Sequence, residues 1–412
     1  MAHDRLDRAL DRHVEALREA GTAKGDESVV VALTPPSGER GPRVRLAGEG
    51  DREFLRMNSN SYLGMSLRPA VIAAEEEATR RYGAGPGAVR FISGTFEPHV
   101  ALERRLAAFH GREAAMIFSS AYAAVVSTLA PLTDDRTLVI SDELNHNCII
   151  NAMRLSRPMD KKIYAHNDMS ALSKALAEAA TRPDGDRARR VLLVTDGIFS
   201  MRGDHAPLDE IVGIAREYDD AFAENVVVVV DDSHGVGAFG ATGRGVEEYC
   251  AARADVLVAT LGKALGVNGG YVAASASVIR FLRETSMMYI YSNPITAGEA
   301  HAAAAALDLL DGEEGRRLLE RLRRLTARFE RGLLARGFEV IEGEHPVVPL
   351  MVRDTDRTRR LVAHLRAHGV LATGLTYPVV PRGDEEIRFQ VNADHTEGDV
   401  DRVLEVLAAF EA

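Results

Sequence analysis

Short apolar runs alternate with amphipathic stretches along most of the first 290 residues. Six of these runs are too short for helices and rich in β-branched residues, which is typical of buried strands. They are AAMIFSS (114–120), TLVISD (137–142), RVLLVTDG (190–197), NVVVVVDDSH (225–234), DVLVATLG (255–262) and GGYVAAS (269–275). Helical stretches such as HVALERRLAAFHG separate them. Continuous apolar strands joined by helices predict an α/β fold, with a mainly parallel sheet covered on both faces.

The pattern changes after about Ser292. A long helical region follows, with a predicted break near Asp311–Gly312, and short apolar runs then alternate with two more helical stretches. These pieces are typical of a smaller α+β domain. The beginning of the chain predicts a helix and a short hairpin. The sequence therefore predicts an N-terminal arm (1–60), a large domain (61–292) and a small C-terminal α+β domain (293–412).

Composition narrows the possible partners. Of the 412 residues, 46% are hydrophobic and 27% are charged, as expected for a globular protein. The net charge of −11 argues against nucleic acid or an acidic membrane as a partner. No apolar stretch is long enough to predict a membrane span. Cys148 and Cys250 have neither paired nor metal-like spacing, so we expect a reducing, cytoplasmic location and no metal site.

Polar residues collect where the predicted strands end. Asp231, Asp232 and His234 directly follow the valine run, and three other strand ends carry SDELNH, TDGIFSM and ATLGKALG. In open α/β sheets, ligands bind beyond the carboxyl ends of the strands. These four segments therefore predict a ligand site at one edge of the sheet.

Lys263 stands between glycines in ATLGKALG and has apolar neighbours. Apolar surroundings favour loss of its proton, because desolvation disfavours the charged form, and such a lysine can form a Schiff base. Pyridoxal phosphate (PLP) needs a lysine of this kind and an acid beside its ring nitrogen. Asp231 is the predicted acid because it directly follows the valine run. Asp232 is expected to be a strand-end cap or an ion-pair partner.

Seven motifs, in the same order, resemble those of the α-oxoamine synthases. The motifs are SNSYLG (59–64), VRFISGT (89–95), SDELNH (141–146), TDGIFSM (195–201), DDSHGVG (231–237), TLGKALG (260–266) and IRFQVNADHT (387–396). These enzymes are fold-type-I PLP-dependent transferases that join an amino acid to an acyl-CoA. The resemblance covers roughly residues 50 to 412. TLGKALG and YPVVPRG are most similar to the glycine C-acetyltransferase branch.

The resemblance implies roles for the residues around the cofactor ring. Lys263 would hold PLP covalently and later move the substrate proton. Asp231 would pair with the ring nitrogen, and His146 would stack on the ring face. His234, helped by Ser200, would hydrogen-bond the phenolic oxygen.

The resemblance also implies a phosphate site. The backbone amides of Ala121 and Tyr122 would hold the phosphate at a helix start, and Thr260 would add a hydroxyl group. Ser292 and Asn293 would reach the phosphate from the other subunit of a homodimer. From the residues alone, Ser292 and Asn293 could instead cap the next helix.

Asn60 and Arg388 match the residues that hold the amino-acid carboxylate in the family. The planar guanidinium of Arg388 suits this role because it can bind a carboxylate bidentately. The alternative is that Arg388 pairs with Glu385 or Glu386.

The implied reaction condenses glycine with acetyl-CoA to give 2-amino-3-oxobutanoate. A different acyl-CoA, a carrier-protein thioester, another small amino acid and loss of carbon dioxide from the product all remain open. The alternative enzymes are a fold-type-I aminotransferase and a threonine-type aldolase, which would use the same lysine and aspartate without a thioester. A binding module that keeps the fold for dimerisation is the non-enzymatic alternative.

Overall fold

The computed structural model describes residues 4–20, 22–183 and 185–410, and its strands form three sheets. The strands are β1 (Val30–Thr34), β2 (Arg43–Leu46), β3 (Glu53–Arg56), β4 (Ala114–Phe118), β5 (Thr137–Asp142), β6 (Asp160–Tyr164), β7 (Arg190–Asp196), β8 (Val226–Asp231), β9 (Val256–Thr260), β10 (Gly270–Ala274), β11 (Glu339–Val340), β12 (Val347–Met351), β13 (Val370–Leu371), β14 (Thr373–Leu375) and β15 (Glu386–Gln390).

The helices cover the sheets. They are α1 (Asp4–Glu19), α2 (Pro69–Tyr82), α3 (Glu97–Phe109), α4 (Ala121–Leu132), α5 (Asn147–Leu155), α6 (Met169–Ala180), α7 (Leu208–Glu217), α8 (Val246–Tyr249), α9 (Ala276–Thr285), α10 (Met287–Ile290), α11 (Ala297–Asp311), α12 (Glu313–Leu334), α13 (Thr355–Ala367) and α14 (Glu397–Ala408). Within the described ranges, none of them is both long and apolar enough to cross a membrane.

The largest sheet has seven strands in the order β4-β10-β9-β8-β7-β5-β6. Its neighbouring strands are parallel except for β10, which is antiparallel to both β4 and β9. All six apolar runs are strands of this sheet, so the predicted, mainly parallel α/β architecture is confirmed. The pattern missed β6. This strand lies at the edge of the sheet and alternates the exposed Lys161 and Ile163 with buried or partly buried residues, so it lacks a continuous apolar run.

Both faces of the large sheet are buried, which explains its continuous apolar strands. Leu192 and Val229 pack on one face in a cluster with residues of α4 and α5. Leu193 and Val228 pack on the other face with residues of α6 and α7. Burying one such side chain contributes about 1.5–3 kcal/mol, so the register of the central strands is strongly specified. The ends of these strands are therefore held at fixed positions along one edge.

The remaining strands form two four-stranded sheets. One has the antiparallel order β11-β12-β15-β14, and the other has the order β1-β2-β3-β13. The parallel pairing of β3 with β13 joins the N-terminal segment to the C-terminal third of the chain. Helix α11 ends at Asp311 and α12 begins at Glu313, at the predicted break. The three domain boundaries remain a prediction.

Candidate active site

Three strand ends meet at the predicted edge of the large sheet. Asp196 on β7 and Asp231 on β8 are partners in the parallel register, and both carboxylates are buried. Asp231 Oδ1 accepts a hydrogen bond from the Ser233 amide at 3.1 Å. The His146 amide, which follows β5, donates to Asp196 Oδ2 at 2.9 Å. Burial and the neighbouring Asp231 raise the pKa of the Asp196 carboxyl group well above its usual range.

Seven of the predicted site residues line one cavity at this edge. They are Ala121, Tyr122, His146, Ser200, Asp231, His234 and Lys263. The lining also includes Cys148, Asp196, Ile198 and Ser233, which the sequence analysis did not assign to the site. Since these residues come from five separate segments, the fold brings together side chains that are far apart in sequence.

Lys263 lies in the turn that follows β9, among the buried side chains of Leu261, Ala264 and Leu265. Burial lowers the pKa of its amino group, although the carboxylates of Asp231 and Asp196 oppose this shift. The amine therefore loses its proton more readily than a lysine in water. This is the state in which a lysine acts as a nucleophile or as a base.

The N-terminus of α4 provides an anion site beside Lys263. The Ser120 hydroxyl caps the helix by accepting the Ala123 amide at 3.0 Å, and the preceding amides of Ala121 and Tyr122 have no acceptor within the helix. Gly270 on β10 lies against this turn, because a Cβ atom there would be 2.3 Å from the Ala121 nitrogen. Free amides at a helix N-terminus bind phosphate well.

Thr260 does not line the cavity. Its hydroxyl donates to the Gly269 carbonyl at 3.1 Å and accepts the Gly262 amide at 3.0 Å. These bonds shape the turn that carries Lys263. A contact between Thr260 and a phosphate remains a prediction.

Ser292 and Asn293 also lie outside the residues that line the cavity. The alternative that they cap the next helix is wrong, because Thr296 caps α11. Its hydroxyl accepts the Glu299 amide at 3.0 Å, and the Glu299 carboxylate accepts the Thr296 amide at 2.7 Å. The role of Ser292 and Asn293 across a subunit boundary remains a prediction.

Arg388 and Asn60 lie together, as the sequence analysis predicted for a carboxylate site. Arg388 Nη1 donates to the Ser200 carbonyl at 2.9 Å, and Nη2 lies 3.4 Å from Asn60 Oδ1. The alternative pairing is absent from the described residues, where neither Glu385 nor Glu386 forms an ion pair with Arg388. The Arg388 charge is therefore available to a substrate carboxylate.

His234 belongs to a buried chain of polar contacts that the sequence did not indicate. Its Nδ1 lies 2.7 Å from the Tyr62 hydroxyl, and its carbonyl oxygen is 2.9 Å from His345 Nε2. Burial holds the pKa of His234 well below its usual range, so its ring is neutral at physiological pH. Since Nδ1 contacts Tyr62, Nε2 is the nitrogen left for a ligand.

His146 is held at the N-terminus of α5 with its side chain exposed. Its Nδ1 lies 2.9 Å from Cys148 Sγ and accepts the Cys148 amide at 3.3 Å. The same thiol lies 3.6 Å from Asp231 Oδ2. Burial raises the pKa of Cys148, which keeps it a thiol. Cys148 therefore links His146, the predicted stacking residue, to Asp231, the predicted acid. Its position two residues after His146 is the sequence feature that could have indicated its place in the site.

Comparisons with known proteins agree with this geometry. Residues 52–407 match the family model described as aminotransferase class I and II. The chain is 39% identical over 405 residues to 8-amino-7-oxononanoate synthase of Geobacter sulfurreducens, covering 98% of both chains. It is 36% identical over 399 residues to mitochondrial 2-amino-3-ketobutyrate coenzyme A ligase of Bos taurus, covering 96% of this chain and 90% of the relative. This chain is an α-oxoamine synthase of the aminotransferase class I and II family.

The solved structures agree with this family. A serine palmitoyltransferase of Sphingomonas wittichii superposes with a TM-score of 0.87 at 25% identity, covering 99% of this chain and 97% of the other. The predicted fold-type-I PLP-dependent transferase fold is therefore confirmed. The oxononanoate synthase is more similar to this α-oxoamine synthase than the ketobutyrate ligase is, so the glycine C-acetyltransferase branch remains a proposal.

PLP is the cofactor of this α-oxoamine synthase family, and the site fits it. Free amides at a helix N-terminus suit the phosphate, and the buried carboxylate of Asp231 suits the charged ring nitrogen. Lys263 and His146 line the same cavity. The assignment of each residue to a part of the cofactor remains a prediction.

Asp232, next to the predicted acid, organises the turn instead of facing the cavity. It is fully buried, and its Oδ2 accepts the Val246 amide at 2.7 Å. Gly197, Gly235 and Gly245 surround it so closely that a Cβ atom on any of them would lie within 2.4 Å of its carboxylate oxygens. These contacts agree with the strand-end role expected for Asp232.

A charged histidine connects the loops beside the site. His166 Nδ1 and Nε2 lie 3.1 Å from Asp142 Oδ1 and from Asp204 Oδ2, respectively. Burial alone would lower the pKa of His166, but the hydrogen bonds to the two carboxylates outweigh burial and raise it to about 9. A raised pKa means that the charged histidine stabilises the folded state below the pKa of the unfolded chain. That contribution is lost as pH rises through the folded-state pKa.

We therefore expect His166→Gln to lower the free energy of unfolding by on the order of 2–3 kcal/mol at pH 6. The deficit should shrink between about pH 6.5, the ordinary pKa of histidine, and pH 9. Urea unfolding of both proteins at pH 6 and above pH 9 measures this change. An equal deficit at both pH values would contradict the charged state of His166.

Proposed function

We propose that this α-oxoamine synthase condenses glycine, or another small amino acid, with an acyl-CoA, and that acetyl-CoA is the preferred donor. The product would be 2-amino-3-oxobutanoate together with free CoA. The observation that carries the proposal is the position of Arg388 and Asn60 beside the cavity of Lys263 and Asp231. This arrangement places a cation, which can bind the carboxylate of an amino acid, near Lys263, whose pKa is lowered.

Binding comes first in the proposed mechanism. The Arg388 guanidinium holds the carboxylate of the amino acid, and the Asn60 amide completes this site. The exposed ring of His146 covers the reacting groups and excludes water from them. The neutral ring of His234, fixed by Tyr62, offers a hydrogen bond without adding charge.

Proton transfer follows. Bound PLP acts as an electron sink for the electrons left at the amino acid Cα. Lys263 Nζ removes the Cα proton, and the Asp231 carboxylate provides the opposite charge that keeps the ring nitrogen protonated. A carbon–carbon bond then forms at the thioester carbonyl, the carbon–sulfur bond breaks, and the thiol leaves with a proton.

A second candidate is an enzyme that makes a longer amino ketone. The relative from Geobacter sulfurreducens, an 8-amino-7-oxononanoate synthase at 39% identity, favours this candidate. The name of that relative describes a nine-carbon product with a terminal carboxylate. Such an enzyme would use a longer acyl donor than acetyl-CoA.

We also propose that the enzyme is a homodimer in which Ser292 and Asn293 complete the partner's phosphate site. Large apolar side chains near this segment support the proposal, because Met287 is 71% exposed and Tyr291 is 76% exposed. Exposed groups of this kind mark protein–protein interfaces when they form a contiguous patch. A cytoplasmic location is part of the same proposal and agrees with two cysteines that form no disulfide.

The test is an assay of the PLP-loaded enzyme with glycine and acetyl-CoA. We expect free thiol to appear when both substrates are present, and mass spectrometry to show 2-amino-3-oxobutanoate, which keeps the carboxyl group. A product that has lost the carboxyl group would favour a decarboxylating enzyme of this family. Amino transfer to a keto acid without thiol would favour an aminotransferase. Cleavage of threonine would favour an aldolase. No thiol release with any acyl donor would contradict the proposal.

A further inference from the structure

A separate cavity, of about 120 Å³, lies beside the segment that contains Asn60. Among the described residues, it shares no lining residue with the cofactor cavity. A water molecule needs about 10–15 Å³ of such space, so this cavity has room for an ion the size of phosphate. Its lining is largely polar and includes Arg56, Ser59, Ser61, Ser66, Asn392 and Asp394.

Arg56 is the cation that faces this cavity. It is the last residue of β3 and is half-buried. Its Nη2 donates to Ser59 Oγ at 3.0 Å, and within the described ranges its guanidinium forms no ion pair. Burial lowers the pKa of Arg56, and no carboxylate in the described part of the chain opposes this shift. Since removing a charge from water without a counter-ion is costly, packing alone does not explain Arg56.

The hydroxyl groups beside Arg56 leave a proton available to a ligand. Ser59 Oγ accepts from Arg56 and donates to Ser61 Oγ at 3.1 Å. Ser61 Oγ also accepts a hydrogen bond from Asn392 Nδ2 at 2.9 Å. A serine hydroxyl carries a single proton and accepts at most a pair of hydrogen bonds. Ser61 is therefore saturated as an acceptor, and no described residue accepts its proton.

The side-chain acceptors around the cavity are used inside the protein. Asn392 Oδ1 accepts the Asp394 amide at 2.7 Å, and His395 Nδ1 accepts the Asn392 amide at 3.2 Å. Asp394 Oδ1 pairs with Arg68 Nη2 at 2.6 Å. The other oxygen, Oδ2, is buried against Gly64, where a Cβ atom would lie 2.0 Å from it. Asp394, the sole carboxylate among the described lining residues, thus has a counter-ion, and Arg56 does not.

We propose that this cavity binds a small oxyanion of the phosphate class. The planar guanidinium of Arg56 would hold the ion through charge-assisted hydrogen bonds, and the Ser61 hydroxyl would donate to it. A neutral ligand would leave the charge of Arg56 without a counter-ion, and a cation would be repelled. Ser59 and Ser61 flank Asn60, so the ion would lie next to the proposed carboxylate site without occupying it. Inorganic phosphate and the phosphate group of a phosphomonoester share this chemistry.

The test titrates inorganic phosphate with the holoenzyme, in which PLP blocks the proposed phosphate site at α4. Chloride keeps the ionic strength constant, because salt screens attraction to exposed charges. Broadening of the free phosphate signal in ³¹P NMR measures binding, and phosphate should also raise the melting temperature. We expect Arg56→Gln to weaken binding by about tenfold or more, and Ser61→Ala to weaken it several-fold. Arg402→Gln is the matched control, because Arg402 is an exposed arginine on α14 outside the cavity.

A parallel titration with glycerol 3-phosphate distinguishes the sources of the ion. Binding that is lost in Arg56→Gln would extend the site to phosphomonoesters, whereas binding of inorganic phosphate alone would assign it to the free ion. The proposal would be overturned if the wild-type holoenzyme bound neither, or if Arg56→Gln bound phosphate as well as the wild type. If Arg56→Gln does not fold, unchanged phosphate binding by Ser61→Ala would overturn it.

Discussion

Replacing Lys263 with alanine should lower turnover by roughly 10³–10⁴-fold, which in practice abolishes it. Two functions should be lost together, because in the proposed mechanism the amine both holds the cofactor and moves the substrate proton. Borohydride reduction of the wild-type holoenzyme, followed by peptide mapping, should place the cofactor on Lys263. The variant leaves the proposed phosphate site at the N-terminus of α4 unchanged, so it should retain some cofactor.

Lys174→Ala is the control for this experiment. Lys174 is an exposed lysine on α6 and does not line the cofactor cavity, so its loss should leave turnover unchanged. A reduced cofactor mapped to any other lysine would contradict the assignment of Lys263.

The same variant tests whether the active sites are shared between subunits. Mixing Lys263→Ala chains with Asn293→Ala chains gives random dimers, half of which carry both variants. If Asn293 serves the partner's site, each mixed dimer has one intact site, and about a quarter of wild-type activity should return. Failure to recover activity, with mixed dimers shown to form, would place Asn293 in its own chain's site or outside any site.

Asp231→Asn should lower turnover by on the order of 10²–10³-fold while the cofactor stays bound. The amide keeps the shape of the side chain and removes the charge that we propose keeps the ring nitrogen protonated. Asp231 accepts the Ser233 amide at Oδ1 and the Cys148 thiol at Oδ2, and the single amide oxygen of asparagine can keep one of these two contacts. Stopped assays and the absorbance spectrum of the bound cofactor measure the two effects separately.

Asp232→Asn is the matched comparison, one residue along the same strand end. Its carboxylate faces the turn glycines and the Val246 amide, so the substitution should reduce stability more than turnover per folded molecule. If Asp232→Asn impaired turnover more than Asp231→Asn did, the acid beside the ring nitrogen would be Asp232 and the prediction of Asp231 would be wrong.

Much of the site could be predicted from the sequence because its residues follow strands with a clear local pattern. The valine run before Asp231 and the apolar run before Lys263 both predicted strands, and those strands end where the predicted ligand site lies. Strand ends converge in any parallel sheet. The seven ordered motifs then indicated the family and the cofactor.

Other features depended on contacts between distant segments. Tyr62, His234 and His345 belong to three separate parts of the chain, and no local pattern connects them. Asp196 lay inside a quoted motif, but its importance depends on its register with Asp231 across two strands. Glu386 fits the alternation of polar and apolar residues in the sequence of β15. Among the described residues, only its burial and the absence of a hydrogen-bond partner for its Oε1 distinguish it from an ordinary exposed glutamate.

By itself, the sequence determined the helical stretches, the central strands, the order of the motifs and the candidate for the reactive lysine. These features depend on periodicity, β-propensity and short motifs, which are properties of neighbouring residues. The tertiary structure decided the reversed direction of β10, the pairing of β3 with β13 and the cap of α11. Those features depend on which distant surfaces pack together, since burial and hydrogen bonding between remote segments are set by the whole core.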